Sequence, residues 1–110
     1  GGAPVESLAS LHYRAQRHVD ALREAVGSSW EGLCEQMGEP PYDAPADISF
    51  WLLGFLMSTM RGPQGMGSML QGLGVSVLQD RSPSSRLKRV IGVVDALNTQ
   101  RSGPSRCCVQ

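Results

Sequence analysis

Apolar positions are spaced differently in successive stretches of this chain, and the spacing predicts its elements. Val5, Leu8, Leu11, Ala15, Val19, Leu22 and Val26 stand three or four apart, which places them on one helix face. A helix over 4–26 follows, with Pro4 in its first turn and Gly27 just past its end. Ser28-Ser29-Trp30-Glu31 has the Ser-x-x-Glu form of a capping box, ahead of Leu33, Cys34 and Met37 and then Gly38. That pattern predicts a short second helix over 29–37, folded back on the first as a hairpin. Three prolines between Glu39 and Pro45 forbid helix there and predict an extended connector.

Beyond Asp47, a suitable cap, Phe50, Trp51, Leu53, Phe55, Leu56 and Met57 surround the helix axis instead of forming a stripe. They predict a central helix over 47–59 that is buried on most sides. Glycine and methionine then dominate from Met60 to Gly74. Each glycine disfavours helix by about 0.8–1.0 kcal/mol relative to alanine, so 61–67 reads as a loop. A helix over 68–79 follows it, with a short strand around Val75 and Val77 as the alternative. Ser82 as cap and Pro83 at the first helical position open a last helix over 83–98, lined on one face by Leu87, Val90, Ile91, Val94 and Leu97. Residues 99–110, rich in Ser and Arg with Gly103 and Pro104, read as a flexible tail. The expected fold is all-α, a bundle of four to five helices with a glycine-rich central loop, and the last helix packs on the first and the central ones.

Composition narrows the function. With 110 residues, a single domain is the most the length allows. Ten Lys plus Arg balance ten Asp plus Glu, which argues against a nucleic-acid binder held by phosphate contacts. The apolar run from Ile48 to Met57 is about half of the ~20 residues a membrane span requires. Three cysteines, Cys34, Cys107 and Cys108, make no disulfide framework and fit a cytoplasmic setting. His12 and His18 stand six apart, off one another's helix face and far from any cysteine, so no metal site and no cofactor is expected. They read as solvated or boundary side chains beside Tyr13 and Arg17, and Arg14, Arg17 and Arg23 with Glu6, Asp20 and Glu24 read as a solvated helix face. No His, Cys or carboxylate constellation has the spacing of a catalytic centre. Gly65-Met66-Gly67 lacks the preceding strand and the lysine of a phosphate loop.

What remains is protein contact. Trp30, Met37 and Tyr42, with Met60, Met66 and Met69 as adaptable thioethers, form the candidate client surface. Cys107-Cys108-Val109-Gln110 fits the C-a-a-X prenylation pattern loosely. It offers Cys107 as a lipidation site and weak peripheral membrane association as the alternative to a cytoplasmic protein.

The order of features from about residue 15 to 98 resembles the helical C-terminal half of the Lon protease N-terminal (LON substrate-binding) domain, in the version found in LON-domain RING-finger proteins. Trp30-x-x-Leu33 with Gly38-Glu39-Pro40 carries the resemblance, followed by Phe50-Trp51-Leu52-Leu53-x-x-Leu56 and then Asp80 to Leu87 with the closing helix. Leu56-Met57 stands where the family usually has Leu-Pro, and the glycine- and methionine-rich segment is longer than usual. The resemblance implies a non-catalytic substrate-recognition or adaptor segment in protein quality control and proteolysis. It would bind exposed hydrophobic stretches of other proteins, and a β-rich half of the same polypeptide would precede it. The alternative is a small stand-alone helical interaction protein, prenylated at Cys107.

Overall fold

A computed structural model describes the backbone of residues 5–59 and 66–109, and the side chains of 5–59 and 70–99. Among them are five α-helices and no strand: α1 (Leu8–Val26), α2 (Trp30–Met37), α3 (Ile48–Thr59), α4 (Met66–Gln79) and α5 (Pro83–Val109). The all-α bundle expected from the sequence is the observed fold. Helix α5 packs against α1, α3 and α4, and α3 also meets α1, α2 and α4.

Helix α1 begins at Leu8, not Pro4, because Ser7 caps it by accepting a hydrogen bond from the Ser10 N–H at 3.1 Å. Val5 therefore lies outside the helix and is exposed, and the buried stripe shortens to Leu11, Ala15 and Val19. Gly27 closes α1 at φ +63°. It opens a 3-10 turn, Gly27–Ser29, that runs straight into α2. Ser28 is thus already inside a helical turn, and the expected capping box does not form. Gly38 ends α2 at φ +84°, ψ 163°. A Cβ there would touch nothing within 4 Å, so Gly38→Ala should meet conformational strain alone. The expected loss is about 1–3 kcal/mol, read as a lower midpoint of urea unfolding.

The proline segment is not extended as expected. Pro40 and Pro41 fit turns as readily as extended chain, and the backbone bends twice, with Tyr42 N–H donating to Pro40 O at 2.8 Å and Ala44 N–H to Pro41 O at 3.0 Å. The Asp47 carbonyl then accepts from Phe50 N–H in the first turn of α3. Helix α3 is the core of the bundle, as its all-round hydrophobicity predicts. Ile48, Trp51, Leu52, Leu53, Phe55 and Leu56 are buried, while Phe50 and Met57 are partly exposed.

Helix α4 is helical from Met66, which settles the helix-or-strand alternative at Val75 and Val77. Leu70, Leu73 and Val77 face the core at helical spacing, and Val75 and Leu78 face outward. Of the loop assigned to 61–67, residues 61–65 lie outside the described residues, and Met66 and Gly67 are corrected to the first turn of α4. Ser82 caps α5 through its side chain, accepting from Ser85 N–H at 3.4 Å. The flexible tail expected over 99–110 is corrected, since α5 continues to Val109. Gly103 and Pro104 both fall inside this helix, where an interior proline lacks the N–H for one backbone hydrogen bond and costs about 3 kcal/mol relative to alanine.

Polar ties fix the helices that the apolar core brings together. Arg14 of α1 bridges Glu6 (2.7 Å) and Asp95 of α5, and His18 Nε2 lies 3.0 Å from the other oxygen of Asp95. Arg86 donates to Ala46 O (2.9 Å) and Asp80 O (3.1 Å), with its guanidinium 4.9 Å from the Phe50 ring centre. The Arg14 hydrogen bond holds Glu6, and the Arg89 hydrogen bond holds Asp80, below the ordinary carboxylate range. A carboxylate whose pKa is lowered by folding adds stability above its unfolded-state pKa. That contribution is lost as pH falls through the folded value. Both groups act in this sense, so the melting temperature should drop on acidification below about pH 4, and Asp80→Asn should make the drop shallower in a series of thermal melts.

Candidate protein-binding recess

Tyr42 is pinned to α1 at both its ends. Its carbonyl accepts from Gln16 Nε2 at 2.9 Å and lies 2.9 Å from His12 Nε2, which must carry a proton because a carbonyl can only accept. Its hydroxyl donates to both oxygens of Asp20, at 3.0 and 3.1 Å, and that hydrogen bond raises the phenol pKa. His12, Gln16 and Asp20 are four apart and form one row on α1. This row holds the proline connector against the helix.

The other wall comes from α2 and its terminal turn. Trp51 of α3 stacks on Phe55 and meets Trp30 at a tilt, with ring centres 5.9 Å from each, and donates from Nε1 to Gly38 O at 3.0 Å. Trp30 is thereby held half-buried, with its face toward Arg23, whose guanidinium lies 5.8 Å from the ring centre. Between these walls is a recess of about 270 Å³, lined by Val19, Asp20, Arg23, Trp30, Glu39, Pro40 and Tyr42. A shallower hollow shares Arg23 and Trp30 with it and continues past Glu24 and Glu31.

Trp30 and Tyr42, both expected to contact partners, meet in this recess. Met37 does not join them. Its Cε lies 3.5 Å from where a Cβ on Gly54 would stand, and its sulfur takes a long contact from Ser58 Oγ, so it packs α2 against α3. Met60 lies outside the described residues, as do the side chains of Met66, Met69 and Cys107. The row of His12, Gln16 and Asp20 was missed as part of the site. Its i, i+4, i+8 spacing was legible, but nothing in the sequence pointed that row at Tyr42, twenty-two residues beyond Asp20.

The remaining chemistry is sparse. Cys34 is buried and its thiol pKa is raised, first by burial and then by Glu39, which disfavours the reactive thiolate. No cluster of three or more His, Cys, Asp or Glu among the described residues is arranged to hold a metal ion. No described helix is long and apolar enough to cross a membrane. A second, more apolar hollow of about 170 Å³ lies between Leu22, Phe55, Leu56, Val94 and Leu97, without aromatic or charged groups presented to a partner beyond the edge of Phe55. No family model, curated protein or solved structure matches the chain.

Proposed function

We propose that the chain is a non-catalytic protein-recognition module, the helical part of a LON-type domain, which holds apolar segments of other proteins against Trp30 and Tyr42 in the service of protein quality control. The observation that carries this reading is the recess itself. Two aromatic rings and Pro40 form its apolar surface, and hydrogen bonds from α1 and α3 fix its walls before any partner arrives. Aromatic side chains held in place bind with little loss of conformational entropy and dominate the energetics of many interfaces.

The positions that carry the LON resemblance support one another physically. Trp30 packs on Trp51, Trp51 bonds to the Gly38 turn, Leu52 and Leu87 are fully buried, and Arg86 joins α5 to the residue before Asp47. These contacts give a physical reason for Trp30, Gly38, Trp51, Leu52, Arg86 and Leu87 to occur together in that order.

The test is binding of a fluorescein-labelled, chemically reduced and alkylated protein as the unfolded client, followed by anisotropy. Tyr42→Ala and Trp30→Ala should each weaken binding by at least about tenfold, while Met57→Ala, exposed on α3, should leave it unchanged. Circular dichroism checks that each variant is folded. Wild-type protein that shows no binding, or folded Trp30→Ala and Tyr42→Ala proteins that bind normally, overturns the recess as the client site. The LON assignment has a separate test in the coding sequence upstream of Gly1, where it expects a strand-rich segment; an upstream sequence without one overturns it.

A further inference from the structure

The zero net charge conceals a segregation. From Glu24 to Met60 there is no lysine or arginine, whereas every carboxylate between Asp20 and Asp47 is exposed to solvent. Outside that stretch each acid is neutralised: Glu6 by Arg14, Asp80 by Arg89, and Asp95 by Arg14 with His18 beside it. Within it, no carboxylate forms an ion pair among the described residues. Among the described residues, the acids without an ion pair are the seven from Asp20 to Asp47, and four of them line the recess or the hollow beside it. Asp20 and Glu39 line the recess with Trp30, and Glu24 and Glu31 line the shallower hollow with it. Among the described residues that line the two hollows the cation is Arg23, and its guanidinium sits on the Trp30 face.

We infer that the segment this recess selects is basic as well as apolar: an extended stretch of another protein that crosses Trp30 with an apolar side chain and places lysine or arginine on both sides of it. This rests on the proposed function and deepens it. The two hollows share Trp30 and Arg23, so an extended segment that fills both brings its cations to Asp20 and Glu39 in one and to Glu24 and Glu31 in the other. Arg23 is an internal occupant of the position an incoming cation would take over the indole. Opposite charge accelerates encounter and excludes acidic or neutral competitors, and salt weakens the attraction where the groups are exposed.

The experiment uses the full 110-residue chain and three labelled peptides with one phenylalanine flanked by leucines, differing only in having two lysines, two serines or two glutamates on each side. The lysine peptide should bind at least about tenfold more tightly than the serine peptide, with the preference shrinking as salt rises past about 0.15 M, where the screening length is near 8 Å. Glu31→Gln with Glu39→Gln should remove most of that preference, while Met57→Ala, outside both hollows, should change the binding of neither peptide. Arg23→Gln should act in the opposite direction, strengthening the lysine peptide several-fold by removing a like charge and uncovering the indole. Equal binding of lysine and serine peptides overturns this inference but leaves the proposed function standing. Binding of neither peptide, together with no binding of the unfolded client, overturns both. If the chain self-associates and the Glu31→Gln, Glu39→Gln protein does not, a second copy occupies this face and the inference is overturned.

Discussion

Leu52→Ala is expected to lower the stability of the chain by about 2–5 kcal/mol, a large fraction of the roughly 5–15 kcal/mol typical of a domain. Leu52 is completely buried in α3, the helix that meets all four of the others, so no single neighbour can move in to fill the space. Met57 on the same helix provides the contrast. It is 46% exposed, and Met57→Ala should change stability by no more than about 0.5 kcal/mol, as substitutions away from the core generally do. Urea unfolding of the two variants checks this. Equal midpoints for Leu52→Ala and wild type would mean that α3 is not the centre of the bundle.

The second large effect belongs to Trp51, and it divides into two measurable parts. Trp51→Ala removes the ring from between Trp30 and Phe55, at an expected loss of about 3–5 kcal/mol. Trp51→Phe keeps an aromatic ring there but deletes the Nε1–H that donates to Gly38 O. Leaving that carbonyl without its donor should cost about 1–3 kcal/mol. It should also loosen the turn from Gly38 to Tyr42, one wall of the recess. Client binding by Trp51→Phe should therefore fall more than the population of folded protein does, with folding measured by circular dichroism in the same samples. A fall in binding no larger than the loss of folded protein would separate this hydrogen bond from the recess.

The legibility of this fold in its sequence followed the strength of each local signal. Helix α3 was evident because its apolar side chains surround the axis, and most of α5 because Ser82, Pro83 and a regular stripe marked its start and face. The ends of α1 and α2 at Gly27 and Gly38 were likewise visible, since both glycines adopt a positive φ. The failures came where a local pattern admitted two outcomes. Ser28 had the form of a cap, but a preceding 3-10 turn absorbed it. Pro40 and Pro41 suit both extended chain and turns, and the choice lay with Tyr42 reaching His12, Gln16 and Asp20 on a distant part of α1. Thr99 and the residues after it carry helix-disfavouring composition, which weakens a helix without ending it.

The site was legible in its members more than in its assembly. Trp30 and Tyr42 were recognisable as aromatic side chains flanking a proline segment. Their meeting depends on contacts between residues more than twenty apart, which periodicity does not encode. The charge pattern was on view in the sequence, but a total of zero hid it. Its significance appeared only when Glu6, Asp80 and Asp95 proved to be paired and the acids beside Trp30 did not.

The position of α5 after α1, α3 and α4 in the sequence sets the order in which the core can be covered. Helix α5 covers α1, α3 and α4, and the Arg14–Asp95 contact closes across 81 residues. During synthesis at about 5–20 residues per second, the nearly all-round apolar surface of α3 leaves the ribosome seconds before Leu87 to Val94 arrive to cover it. Until then the nascent chain exposes a hydrophobic helix of the kind a quality-control system detects. Helix α5 must be made before that surface can be buried.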